Sequence, residues 1–127
     1  MPLVRISLRQ GKPTEYREKI AAGVHQAMVE AMNVPAQDRF QVVTEHPADG
    51  LIYDPTYLGI ERSDDIVFIQ ITLNSGRTED QKRSFYRRTV QLLEKEPGLR
   101  PEDVLINLVE VAKENWSFGN GEAPYAT

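Results

Sequence analysis

Cysteine is absent from the 127-residue sequence. Its absence excludes disulfides, thiol catalysis and a cysteine-based zinc site. Histidine is scarce too: His25 and His46 stand at no metal-ligand spacing, so no metal site is expected. A glycine-rich phosphate loop, a nucleophile elbow and a paired-carboxylate signature are all missing. No apolar run approaches the roughly 20 residues of a membrane helix, and the N-terminus lacks the apolar stretch of a signal peptide. The formal net charge is −4 and no basic stripe stands out, which argues against a nucleic-acid partner. What is present, 40% apolar and 27% charged residues, is the balance of a soluble globular protein. The expectation is one cytoplasmic domain over residues 1–127 with a modest core.

The chain repeats itself. Ile6-Ser7-Leu8-Arg9-Gln10-Gly11-Lys12 lies over Ile71-Thr72-Leu73-Asn74-Ser75-Gly76-Arg77. Thr14-Glu15 then resembles Thr78-Glu79, and Asp38, Phe40, Val42 and Glu45 match Asp103, Leu105, Asn107 and Glu110. The halves span about 2–46 and 66–111, joined by a long loop at 47–65 and followed by a tail at 112–127. Each half reads strand, helix, strand. Val4, Ile6 and Leu8 alternate with Leu3, Arg5, Ser7 and Arg9, and Val67, Ile69, Ile71 and Leu73 alternate with Phe68, Gln70 and Thr72, the period of a half-buried strand. Thr14 and Thr78 are the expected N-caps, the latter in a capping box with Gln81. Tyr16, Ile20, Val24, Ala27 and Ala31 fall at helical spacing in one half, and Tyr86, Val90 and Leu93 in the other. Crossovers of this kind make parallel pairs, so the expected fold class is α+β: a tandem β-α-β repeat with a four-stranded mixed sheet and two helices on one face. The second face, carrying Leu3, Phe68 and Val43, is then expected to be covered by neighbouring subunits.

Several residues carry potential chemistry, and each has a plainer reading. Removal of Met1 makes Pro2 an N-terminal secondary amine at the start of a strand. Ordinary α-amino groups titrate near about pH 7.7–8.0, and surroundings shift that value in either direction. The plainer reading is a proline that fixes φ before the first strand. Arg77 sits just before the second helix, placed to grip a carboxylate in a bidentate fork, or simply to be solvated. Asp38 reads as a turn residue mirrored by Asp103, or as a carboxylate that orients water or holds a proton. His25 lies near the apolar face of the first helix and reads first as a packing residue. Trp116, Phe118 and Tyr125 form either an apolar wall at a polar site or padding at a subunit contact.

Taken together, these features resemble the tautomerase superfamily, and most closely its malonate semialdehyde decarboxylase-like group. The segments that carry the resemblance are Pro2-Leu3, Val34-Pro35-Ala36-Gln37-Asp38-Arg39-Phe40-Gln41, and Leu58-Gly59 with Arg62. Gly76-Arg77-Thr78 and Trp116-Ser117-Phe118-Gly119 with Gly121 complete it. The resemblance implies a homotrimer that needs neither cofactor nor metal and acts on a small oxo acid. It implies catalytic Pro2, Asp38 and Arg77, with Arg77, Trp116 and Phe118 contacting substrate. Some members carry a second arginine where this chain has Ser75, and Arg62 or Arg39 are the available substitutes.

Three functions follow. Neutral Pro2 moves a proton in keto–enol tautomerisation while Arg77 steadies the enolate. Alternatively, protonated Pro2 polarises a carbonyl, or forms an imine with it, during decarboxylation of a 3-oxo acid, which gives Asp38 a role. In the third, the protein is a non-catalytic trimeric binding module with a vestigial proline.

Overall fold

The computed structural model describes residues 2–123; Met1 and Tyr125, both invoked above, lie outside them. Alternation at period two produces β1 (Leu3–Arg9) and β3 (Val67–Asn74), which bury Val4, Ile6, Leu8, Val67, Ile69, Ile71 and Leu73 on one face. α1 (Thr14–Ala31) leads from β1 to β2 (Gln41–His46), and α2 (Glu79–Lys95) leads from β3 to β4 (Val104–Val111). The strand order is β2-β1-β3-β4. β1 pairs parallel with β2 and β3 with β4, while β1 and β3 run antiparallel with Ile6 opposite Ile69. The fold is therefore α+β with a mixed four-stranded sheet, as the repeat implied.

Both helices pack on the face that buries Ile6 and Ile69. Ile20, Val24 and Met28 of α1 and Phe85 and Leu93 of α2 join the buried strand residues in one core. Each such side chain contributes on the order of 1.5–3 kcal/mol by leaving water. The helices meet where α1 carries Gly23: a Cβ there would lie 2.8 Å from Leu93 Cδ2, so only glycine permits this approach without displacement.

Three expectations need correction, and two share a cause. The N-cap of α1 is Pro13, with no side-chain cap; Thr14 is already helical, and its hydroxyl accepts from Arg17 Nη2 at 3.3 Å. The N-cap of α2 is Thr78, with the capping box to Gln81. Pro13 therefore matches Thr78, and aligning Thr14 with Thr78 slips the helices by one residue. In the corrected register Ile20, Val24 and Met28 match Phe85, Thr89 and Leu93, and all six are buried. The buried stripe of α2 accordingly runs through Phe85 and Thr89, not Tyr86 and Val90. The third correction concerns Val43, which pairs with Ile6 and so shares its helix-covered face. Val42, opposite Arg5, takes the uncovered face with Leu3 and Phe68. Phe40, Val42, Leu105 and Val109 are all exposed.

Candidate functional site

Because β1 and β3 are antiparallel, the start of one meets the end of the other. Leu3 faces Thr72, which brings Pro2, itself buried, beside Leu73. β2 enters at the same end, where Val4 N–H donates to Phe40 O at 3.0 Å. Two residues earlier is Asp38, half-buried in a turn that its own N–H closes by donating to Pro35 O at 3.0 Å. β3 leaves this end through Gly76, whose φ of +127° suits glycine, and delivers Arg77. β4 leaves it toward Trp116. Four segments far apart in sequence thus converge on one end of the sheet.

Arg77 holds this end together. Its Nε and Nη2 donate to Met32 O at 3.2 and 3.1 Å, and its Nη1 donates to Asn74 O at 3.2 Å. Three of the five guanidinium N–H groups are so engaged, and the acceptors are neutral carbonyls. Among the described residues Arg77 has no carboxylate in ion-pair contact. Asn74 also accepts from Trp116 Nε1 at 2.7 Å, and the Trp116 and Phe118 rings stack with centroids 5.6 Å apart. Asn74 thus links Arg77 to the stacked Trp116–Phe118 pair, a role the sequence did not signal. The sequence shows only that it stands where Arg9 stands in the first half. Lys82 and Glu110 brace the turn below Arg77 by an ion pair. Lys82, and to a lesser degree the Gly76 N–H, hold the Glu110 carboxyl below its ordinary value.

The arginines offered as a second cation part company. Arg39 stays at the Pro2 end, next to Asp38, where its Nε donates to Gln41 Oε1 at 2.8 Å. Arg62 lies at the other end, before β3, where Nη1 donates to the carbonyls of Asp54, Tyr57 and Ile60 and ties down the long loop. Ser75 is exposed, and its N–H donates to Val111 O. His25 is buried in α1 with Nε2 2.7 Å from Ala36 O, in the Asp38 turn.

The opposite end of the sheet holds an open pocket of about 460 Å³ lined by Arg9, Gly11, Lys12, Tyr16, Asp64 and Asp65, among others. Arg9 pairs with Asp64 at 3.0 Å and Lys12 with Asp65 at 2.9 Å. The Asp65 hydrogen bond lifts the Lys12 ammonium above its usual range. Among the described residues no group of three or more His, Asp or Glu side chains is placed to hold a metal ion. No helix among them is long and apolar enough to cross a membrane.

Comparison with known proteins places the chain in company. Two family models, each described as tautomerase enzyme, match residues 38–119 and 2–60. The chain is 42% identical over 123 residues to the probable tautomerase YusQ of Bacillus subtilis (strain 168), covering 97% of each. A crystal structure of malonate semialdehyde decarboxylase is 35% identical, with a TM-score of 0.91 over 97% of this chain and 95% of that one. A fused 4-OT symmetric trimer shares the fold at 19% identity and a TM-score of 0.78, covering 95% and 94%.

Proposed function

The chain belongs to the tautomerase enzyme family, and on that premise we propose that it works through the amine of Pro2, freed when Met1 is removed, on a small oxo acid. The observation that carries this reading is Arg77: a half-buried cation at the Pro2 end whose hydrogen-bond acceptors among the described residues are all neutral carbonyls. Two of its N–H groups remain, one on each terminal nitrogen, the number a carboxylate fork takes.

In tautomerisation, neutral Pro2 takes the proton from the enol oxygen of a 2-oxo acid, or from the carbon beside its carbonyl, and returns it at the other position. Arg77 holds the carboxylate and offsets the enolate charge as it develops. In decarboxylation of a 3-oxo acid such as malonate semialdehyde, protonated Pro2 polarises the aldehyde oxygen. The bond between carbon and the departing CO₂ breaks, its electron pair enters the enolate, and Pro2 supplies the proton that completes the aldehyde. Asp38 on the neighbouring turn favours decarboxylation, because proton transfer alone needs no carboxylate there. The similar malonate semialdehyde decarboxylase was described for decarboxylase and hydratase activities, with a proline-to-alanine variant at its first position. Trp116 and Phe118 form the apolar wall, where exclusion of water strengthens both the Arg77 and Pro2 interactions.

The working unit in this reading is a cytoplasmic homotrimer. The uncovered sheet face, with Phe40, Val42, Leu105 and Val109 exposed, supplies the apolar surface that subunits would share.

Intact mass followed by assay tests the proposal. Loss of Met1, with Pro2→Ala at least about 100-fold slower on phenylenolpyruvate or malonate semialdehyde, is the expected result. Retained Met1 in the native host leaves Pro2 nitrogen a non-basic amide and supports the non-catalytic trimeric module instead, as does full activity in the alanine variant. Titration of the labelled Pro2 amine separates the two reactions: a change near neutrality indicates a base, and a cation persisting well above it indicates decarboxylation.

A further inference from the structure

We infer that His25 is a positioning residue for Asp38, acting through one hydrogen bond from its Nε2–H to Ala36 O. The inference rests on the reading above that Asp38 takes part in decarboxylation. His25 is 9% exposed on the stripe of α1 that also buries Ala21 and Met28. Its Nε2 lies 2.7 Å from Ala36 O. A carbonyl oxygen only accepts, so Nε2 carries the proton. Nδ1 is buried without a hydrogen-bond partner among the described residues. As a lone pair it leaves one acceptor unmet; as N–H it would be a buried donor with nowhere to donate. The site therefore selects the neutral Nε2–H tautomer, a fixed donor aimed at the turn.

That turn lies between α1 and β2. Residues 35–37 are exposed and belong to neither helix nor strand. Within the turn Asp38 N–H donates to Pro35 O and Arg39 N–H to Gln37 O, bonds that shape it without anchoring it. Ties at its flanks are Val34 N–H to Met28 O at 3.4 Å before it, and Val4 N–H to Phe40 O and Gln41 Nε2 to Ala21 O at 2.8 Å after it; His25 ties its middle. In the corrected register His25 matches Val90 of α2, which has no side-chain donor. The second unit holds its matching Asp103 by Ser63 instead. The histidine is thus particular to the unit whose aspartate faces the Pro2 end.

The test compares His25→Leu, His25→Gln and Asp38→Asn with the parent protein, assaying malonate semialdehyde decarboxylation and phenylenolpyruvate tautomerisation on the same preparations. His25→Leu is expected to lower the decarboxylation kcat roughly tenfold with KM changed less than about twofold, since small misplacements of a catalytic group are costly. Tautomerisation, which does not use Asp38, should change less than about twofold, and His25→Gln, whose amide donates, should recover most of the loss. A parallel fall in both activities, or no recovery with glutamine, reduces His25 to a packing residue and overturns the inference. So does unchanged decarboxylation in His25→Leu where Asp38→Asn has lost it. If the parent does not decarboxylate, or Asp38→Asn does so fully, the reading of Asp38 has failed instead. The hydrogen bond is judged separately, and without any variant, by the ¹⁵N shifts of the His25 ring: a protonated Nε2 supports it and a protonated Nδ1 alone overturns it.

Discussion

At one end of the sheet Arg77 leaves the Gly76 turn and donates to the carbonyls of Met32 and Asn74. At the other end, in the matching position, Lys12 leaves the Gly11 turn and pairs with Asp65. The scaffolds beneath them correspond. Lys82 and Glu110 brace one turn, Arg17 and Glu45 the other, and Arg17 Nη1 also donates to Lys12 O at 2.8 Å. The two aspartates differ. Asp103 is fully buried and accepts from Ser63 N–H at 2.7 Å and Ser63 Oγ–H at 2.6 Å, with Arg100 Nη1 at 3.6 Å. Asp38 is half-buried on a turn at the Pro2 end. The chain position differs as well: Val67, which matches Pro2, lies in mid-chain, where its nitrogen is an amide. One repeated unit has thus become a cross-linked structural end and an end where Arg77, among the described residues, hydrogen-bonds only to neutral carbonyls.

Exchanging charge at matched positions should break this comparison most visibly. Arg77→Ala is expected to lower kcat/KM about 100-fold, as removal of one partner of a close charge pair does. Lys12→Ala should leave it within about threefold. Steady-state kinetics of the two variants decide the matter, and equal losses would mean that both ends react.

The aspartates should separate stability from activity. Asp103→Ala strands the Ser63 donors and should cost about 2–3 kcal/mol of folding free energy, with the activity of folded molecules retained. Asp38→Asn, which keeps the side chain's size, should slow decarboxylation and lower the unfolding midpoint less than Asp103→Ala does. Denaturant melts beside kinetics show whether the effects cross over in this way.

The smallest effect concerns the braces. Folded Glu110 titrates below its ordinary 4.5, chiefly through the hydrogen bond from Lys82. The unfolded chain then binds more protons across that interval, so the contribution to stability is present above about pH 4.5 and fades as pH falls through the lowered value. Lys82→Met should therefore destabilise the protein slightly at pH 7 and hardly at all near about pH 3, an exposed pair being worth little. The same substitution should slow turnover roughly twofold by loosening the Arg77 turn, while Arg17→Met at the other end leaves turnover unchanged.

The repeat was legible because apolar alternation in β1 and β3 and the paired Gly11 and Gly76 turns are written in residue types. The phase of α2 was less so: Thr14-Glu15 copies Thr78-Glu79 one residue out of step, and only the cap geometry at Pro13 reveals it. At the Pro2 end the sequence pointed to Pro2, Asp38, Arg77, Trp116 and Phe118, and the fold brings their segments together. It could not point to Met32 O or Asn74 O, since every residue carries a carbonyl and the sequence marks none as an acceptor. Nor could it separate Arg39 from Arg62, whose places at opposite ends depend on the course of the long loop.

The most direct test follows from the proposed loss of Met1, after which each end presents an amine, Pro2 at one and Lys12 at the other. 3-Bromopropiolate, an inhibitor of a similar malonate semialdehyde decarboxylase, can be incubated with the protein and the site of attachment mapped by peptide mass. The account predicts a single adduct on the peptide that begins with Pro2, formed in step with loss of activity. An adduct on Lys12, or inactivation with Pro2 unmodified, would contradict it.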